Sequence, residues 1–251
     1  FVFVASQGGV NFYAGNHPGA TGRTIDIPEM KNVQTGWSNF VEASQEVAEK
    51  AEGRRLNSRE VSSYWLTKGL DWIVSAPGDA AVLTLKKIYY VVNAYEVPNE
   101  RDLYFNRPFP LNLLLWRLPF FAFPWGLIFP LAVAGALVGR RDRERKQSIG
   151  VLTNWTLVLG LFLVPFFITA RFRMDIVPAL ILLAAYALAN KERTLKTAPV
   201  AVGLAALVFV NTSFFQSRVD NPAEEKAKMA MALIMENRLA ESRGLLEQAL
   251  A

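Results

Sequence analysis

The chain has 251 residues, of which 52% are hydrophobic and only 20% charged, with a formal net charge of +5 and a mean hydropathy of +0.19. Residues 118–139, 149–170 and 197–217 contain no Asp, Glu, Lys or Arg, and such runs of 22, 22 and 21 residues are each long enough to cross a bilayer core as helix. This excludes a soluble enzyme, a disordered chain and a small disulfide scaffold, and the absence of cysteine excludes thiolate metal sites and cysteine nucleophiles.

The single histidine, His17, makes a His-based zinc site or a serine triad improbable, and no P-loop or dinucleotide fingerprint is present, so no metal or cofactor is expected. The basic excess sits mostly in short loops beside apolar runs, which is a signature of membrane topology rather than of nucleic-acid binding. Both ends read as cut: Phe1-Val2-Phe3-Val4 opens inside an apolar stretch, and Glu247 to Ala251 stops within a helical pattern. The chain therefore reads as a fragment of a longer membrane protein.

In chain order, residues 1–37 read as a loop, because Gly8, Gly9, Gly15, Gly19 and Gly22 with Pro18 break any regular period. A helix is predicted over about 38–52, capped by Ser38 and stopped by Gly53. Asn57-Ser58-Arg59-Glu60 resembles a capping box and predicts a second helix over about 59–75, ended by Pro77-Gly78. From Asp79 to Tyr95, Val82, Leu85, Ile88, Tyr89 and Val92 recur every three or four residues around Lys86-Lys87. Such an amphipathic helix either lies in the membrane interface or packs on its neighbours, and periodicity does not choose between the two.

Four spans are then expected, at about 118–139, 149–169, from Phe172 through the uncharged run 176–190, and 197–217. The third uncharged run, of 15 residues, is too short alone, so this helix must bring Arg173 and Asp175 to the edge of the hydrocarbon. The basic loops 140–146 and 191–196 lie two spans apart and so share a face, which the positive-inside rule makes cytoplasmic. Residues 1–117, the turn Thr169 to Arg173, and the tail from Arg218 then face the other side. The expected organisation is all-α and polytopic: extracytoplasmic loop and helices over 1–117, a four-span region over 118–217, and a helical tail over 218–251.

Ions near hydrocarbon usually pair or bind something. On a helix beginning by Arg171, Arg171 and Asp175 share a face, which leaves Arg173 to meet an anion such as a lipid phosphate; alternatively, both arginines snorkel to headgroups and merely anchor the helix. Glu96, in the turn Asn93 to Glu100, suits positioning a sugar hydroxyl or orienting an arginine, and equally suits a polar helix end. Asn11, Tyr13 and Asn16 offer amides and an aromatic face to a polyol, or form a packed turn.

Four stretches in order carry a resemblance: Gly9-Val10-Asn11-Phe12-Tyr13-Ala14-Gly15-Asn16-His17-Pro18, then Ser58 to Trp65, then Asn93-Ala94-Tyr95-Glu96-Val97-Pro98-Asn99, then Thr169-Ala170-Arg171-Phe172-Arg173 followed by apolar Ile176 to Ala189. Over about residues 1–215 the chain resembles the C-terminal half of bacterial GT-C membrane glycosyltransferases, within the dolichyl-phosphate-mannose protein mannosyltransferase and aminoarabinose transferase group. The resemblance implies transfer of a sugar from a polyprenyl-phosphate donor on the extracytoplasmic side of the bacterial inner membrane. It places Arg171 and Arg173 near the lipid phosphate, and Glu96, Tyr95, Asn11, Tyr13 and Asn16 about the substrate. It also implies an acidic base in the first extracytoplasmic loop, before Phe1, so no catalytic residue is assigned here. His17 stands where a polar amide is expected.

In the tail, Ala230 and Leu233, then Ser242, Leu246 and Ala249, are spaced like the packing positions of a tetratricopeptide repeat, with Asn237-Arg238 at its turn; an ordinary amphipathic helical pair fits the same pattern. Further repeats would follow Ala251 and would recruit a protein partner. Two other functions stand beside the transferase: a non-enzymatic membrane scaffold that binds envelope proteins through the repeats, and a lipid-linked glycan polymerase or ligase.

Overall fold

The computed structural model describes residues 7–23, 27–30, 37–97, 124–212, 214–215, 222–235 and 237–250. Among these the protein is all-helical, with no strand. The chain forms two compact units, Phe1–Val92 with Arg145–Leu180, and Asn93–Glu144 with Ile181–Ala251. The boundaries expected at 117/118 and 217/218 both fall outside the described residues.

The first unit begins with α1 (Gly8–Ala14), where a loop is expected. Its glycines disfavour a helix in isolation, but here Gly9 permits contact. A Cβ at Gly9 would overlap the backbone carbonyl oxygen of Ser62, and Gly9 N–H donates to Ser62 Oγ at 3.0 Å. Tertiary packing thus overrides helix propensity.

Two longer helices follow, α2 (Trp37–Glu52) and α3 (Ser58–Ser75). α2 starts one residue before the expected cap at Ser38. α3 opens on the expected capping box: Asn57 Oδ1 accepts from Arg59 and Glu60 N–H at 3.0 and 3.1 Å, while Glu60 Oε2 accepts from Asn57 N–H at 2.8 Å. Trp65 on α3 is fully buried, and its Nε1–H reaches the Ser44 carbonyl at 3.0 Å. Around it gather Val10, Tyr13, Ala48, Val61 and Phe167, an apolar core of the kind that stabilises any globular unit.

The next helix, α4 (Pro77–Val92), takes Pro77-Gly78 into its first turn, a position where the missing proline N–H costs nothing. Its orientation, which periodicity leaves open, is fixed by packing. Leu83, Lys87 and Tyr90 are buried, whereas Val82, Leu85 and Ile88 are exposed. The stripe read from the sequence is therefore split, with Val82, Leu85 and Ile88 outward, Tyr89 buried and Val92 half-buried, and a lysine stands on the inward face.

α5 (Trp125–Gly139) carries Pro130, and α6 (Lys146–Leu163) ends six residues before the expected limit of its span, where Val164-Pro165 turns the chain. α7 runs over Ala170–Ala189, including one 3-10 turn at Met174–Ile176, and takes in Phe172 to Asp175 as the length argument requires. With 20 residues and a mean hydropathy of 1.7, it is the one described helix long and apolar enough to cross a membrane. α8 covers Thr197–Asn211.

In the second unit α5 and α8 pack together, with Asn211 Nδ2–H donating to the Gly126 carbonyl at 3.0 Å. Gly135 of α5 meets the Leu183 backbone so closely that a Cβ there would overlap the Leu183 carbonyl oxygen. At the other end of these helices, Asp142 Oδ2 accepts from Tyr186 Oη–H at 2.6 Å and pairs with Arg193 at 3.1 Å. The tail folds as an antiparallel hairpin of α9 (Pro222–Met235) and α10 (Leu239–Leu250), with Lys226 Nζ reaching the Gln248 carbonyl. Asn237 makes the turn at φ 60°, a left-handed conformation that asparagine tolerates well.

Candidate functional site: a buried cationic cluster

Three cations come together in the first unit, around Tyr90. Arg173, on the first turn of α7, is 1% exposed and donates from Nη1 to the Tyr90 carbonyl at 3.3 Å. One turn before Tyr90 on α4, Lys87 is also 1% exposed, and its Nζ donates to Asn16 Oδ1 at 2.9 Å. Arg23 lays its guanidinium over the Tyr90 ring, 5.6 Å from the centroid, with Nε and Nη1 buried and without hydrogen-bond partners.

Backbone contacts hold the cluster. Gly22, the residue before Arg23, lies against the Lys87 side chain, and its carbonyl accepts from Ile168 N–H at 2.7 Å. That bond brings Thr169 to the cluster. Thr169 is the N-cap of α7, yet its hydroxyl makes no capping bond and is buried without a partner. Asn16 is fixed from two sides, with Nδ2 donating to the Phe12 and Pro165 carbonyls at 2.7 Å each.

Among the described residues no carboxylate pairs with Arg23 or Lys87. Burial pushes the Lys87 ammonium down to about 8, since desolvation penalises the charged form and no neighbouring anion supports it. Burying the Arg23 and Lys87 cations without a carboxylate partner is costly.

The residues singled out from sequence separate into several environments. Arg171 and Asp175 are exposed while Arg173 is buried, so the first turn of α7 divides its charges between two faces. Asn16 joins the cationic cluster through Lys87. Tyr13 is packed in the apolar core, with its ring against Trp65 and His17 at 5.0 and 5.3 Å, and its hydroxyl donates to Glu29 Oε1 at 2.9 Å. Lys68 pairs with the same Glu29 oxygen at 2.5 Å. Asn11 is half-buried on α1. Tyr95 and Glu96 belong to the second unit, where Tyr95 is buried and donates its N–H to Asn93 Oδ1 at 2.9 Å.

His17 is 2% exposed. Its Nδ1 lies 2.9 Å from the Pro18 carbonyl, which can only accept, so the proton sits on Nδ1. Its Nε2 is buried without a partner. Arg23, Lys87 and Thr169 were not legible as site residues. Lys87 stands beside Lys86 in an amphipathic pattern, and only the rotation of α4 separates the buried one from its neighbour. No group of three or more His, Asp or Glu that could hold a metal ion occurs among the described residues.

No protein-family profile, no curated protein and no solved structure matches this chain.

Proposed function

We propose that this chain is part of a polytopic membrane glycosyltransferase that takes its sugar from a polyprenyl-phosphate donor on the extracytoplasmic side of a bacterial inner membrane. The observation that carries this reading is Arg173. It is 1% exposed at the very start of the one long apolar helix, α7, where a buried guanidinium suits the phosphate of a lipid whose tail lies in the bilayer. Arg171, exposed two residues earlier, would sit among headgroups.

The four-span arrangement belongs to the same proposal. α6 exposes Val151, Trp155, Leu157, Val158, Leu161 and Phe162, a large apolar surface that water does not favour and lipid would. The exposed stripe Val82, Leu85 and Ile88 on α4 fits a helix lying in the interface. Direct displacement at the anomeric carbon would leave negative charge on the departing phosphate, and a nearby cation would stabilise it. No base is assigned among these residues, and Asn11, Tyr13, Tyr95 and Glu96 remain proposed substrate contacts.

A second reading rests on the tail. The α9–α10 hairpin buries Ala230 and Ser242, two of the positions expected of a tetratricopeptide repeat, and turns at Asn237. This favours a protein partner recruited by helical repeats, in a transferase or in a non-enzymatic scaffold.

The test is binding of a polyprenyl-phosphate sugar to the full-length protein in detergent, with Arg171→Ala and Arg173→Ala beside wild type. The transferase reading expects micromolar binding that falls at least tenfold with Arg173→Ala. A folded wild type that binds no donor would sink it and leave the scaffold.

A further inference from the structure

The second unit carries a charged surface that the transfer chemistry does not use. The loop after α5 holds Arg140, Arg141 and Arg143, and the turn between α7 and α8 holds Lys191, Arg193 and Lys196, all six exposed. One carboxylate joins the two stretches. Asp142 Oδ2 accepts from Arg193 Nη1 at 3.1 Å and from Tyr186 Oη–H at 2.6 Å, partners 51 and 44 residues away, while its Oδ1 accepts from Glu144 N–H at 3.0 Å. Local bonds stiffen both stretches. Arg141 and Asp142 N–H donate to the Val138 and Gly139 carbonyls at 3.1 Å each, and Thr194 Oγ1 donates to the Ala187 carbonyl at 2.8 Å. Among the described residues no carboxylate pairs with Arg140, Arg141, Arg143, Lys191 or Lys196, so folding gathers like charges into one collar and leaves most of them uncompensated.

We propose that this collar docks on the anionic headgroups of glycerophospholipids in the leaflet at that end of α5, α7 and α8. Charge alone would suit any polyanion, and the apolar neighbours of the collar select the lipid. Leu195, between Arg193 and Lys196, is 69% exposed. The helices that end at the collar are apolar along their length, and Leu182 and Leu188 on α7 and Leu204 on α8 are exposed as well. A soluble polyanion answers the cations and leaves these side chains in water, whereas an anionic bilayer surface covers both. Asp142 is a positioning residue: it contributes no attraction for an anion, but it holds the two basic stretches where one surface can meet them together. The inference rests on the membrane placement of these helices in the reading above, and not on the transfer of a sugar.

The experiment measures the Tm of the full-length protein in detergent micelles doped with phosphatidylglycerol or with phosphatidylcholine, and with heparin as a soluble polyanion. Wild type is compared with Lys191→Gln/Lys196→Gln, Asp142→Asn, Tyr186→Phe and Lys50→Gln/Arg59→Gln, the last removing two exposed charges from the first unit. For wild type, phosphatidylglycerol should raise Tm by several degrees more than phosphatidylcholine or heparin. That excess should shrink as salt rises from about 0.1 to about 1 M, where the screening length falls from about 10 to about 3 Å. Lys191→Gln/Lys196→Gln should lose at least half of the excess, and Lys50→Gln/Arg59→Gln should keep it. Asp142→Asn should also lose part of it, although the collar becomes more positive. Tyr186→Phe, which leaves every charge in place, should shift it in the same direction.

An equal response to the two lipids, an equal response to heparin, or a full response in Lys191→Gln/Lys196→Gln would overturn the docking surface. A stronger response in Asp142→Asn with an unchanged one in Tyr186→Phe would show that net charge acts without the clamp, and would overturn the role given to Asp142. Wild type recovered in water without detergent would sink the membrane placement and the collar with it. A detergent-requiring wild type that binds no lipid-linked sugar but shows the phosphatidylglycerol excess would sink the transferase and leave the collar standing.

Discussion

Lys87 Nζ donates to Asn16 Oδ1 at 2.9 Å, joining α4 to the turn after α1 through a charged donor and a neutral acceptor. The amide orients the ammonium without neutralising it. Desolvation therefore holds the Lys87 ammonium at about 8, below its ordinary 10.5. One turn further along α4, Tyr90 carries the Arg23 guanidinium on its ring and accepts from Arg173 at its carbonyl, and none of these groups offers negative charge at neutral pH.

Stability should consequently rise with pH through this window. The unfolded chain keeps the Lys87 proton up to about 10.5, while the folded protein releases it from about 8, so between these values the unfolded state binds more protons. In phosphate-free detergent solution, we expect wild type to gain about 1–2 kcal/mol between pH 8 and 10, with Lys87→Met flat over the same range. Above about pH 10 the sign reverses, because burial holds the Tyr13 and Tyr90 phenols protonated beyond their usual range. Isothermal chemical denaturation at a series of pH values reads both limbs. A wild-type curve that falls from pH 8 to 10 would contradict the buried, uncompensated ammonium.

Gly9→Ala should loosen α1 from α3. The added methyl would overlap the Ser62 carbonyl oxygen, and backbone on both sides leaves nothing flexible to yield. A loss of about 2–3 kcal/mol is expected from overpacking, read as a lower denaturation midpoint and a red-shifted Trp emission as Trp65 meets water. Unchanged stability would mean that the two helices are not in backbone contact.

Gly135→Ala tests the second unit in the same way, against the Leu183 carbonyl oxygen. Small residues that let helix backbones approach are a common means of association within membranes, where apolar side chains gain little by leaving lipid. We expect a lower midpoint in detergent, with Gly150→Ala, where no atom lies near, as the control that changes little.

Asn93→Ala should unfasten the start of the turn that carries Tyr95 and Glu96. Asn93 is 3% exposed, and its Nδ2 donates to the Val210 and Thr212 carbonyls at 2.8 and 3.2 Å while Oδ1 accepts from Tyr95 N–H at 2.9 Å. Losing all three removes a partner from the Tyr95 N–H and the Thr212 carbonyl, while the Val210 carbonyl keeps its bond from Ala94 N–H, at a cost of about 1–2 kcal/mol. Hydrogen exchange at the Tyr95 amide should accelerate at least tenfold, and an unaltered rate would show that Asn93 does not hold the turn.

Asn57→Ala removes the capping box of α3 and should cost about 1 kcal/mol, visible as a small drop in midpoint and faster exchange at Arg59 and Glu60. Glu60 is exposed enough that its pairing with Arg54 adds little, so Glu60→Gln should retain most of the stability.

The sequence by itself determined the all-helical class, the capping box at Asn57 to Glu60, the extension of α7 through Arg173, and the turn at Asn237, because each follows from local spacing and length. A helix boundary depends on a few neighbouring residues, and a 15-residue apolar run has no way to span hydrocarbon except by borrowing the residues before it. Tertiary structure alone decided that the glycine-rich stretch around Gly9 is a helix, since Gly9 answers the backbone of Ser62, more than fifty residues away. It also decided which face of α4 turns inward. Periodicity shows that Val82, Leu85 and Ile88 share a face but not whether lipid or protein covers it, so Lys87 was legible as a charge and not as a buried one. The cationic cluster arises from Arg23, Lys87, Thr169 and Arg173, drawn from three separate stretches and joined by the Ile168–Gly22 and Asn16–Pro165 bonds. No window of sequence contains that proximity, because it exists only once the chain has closed on itself.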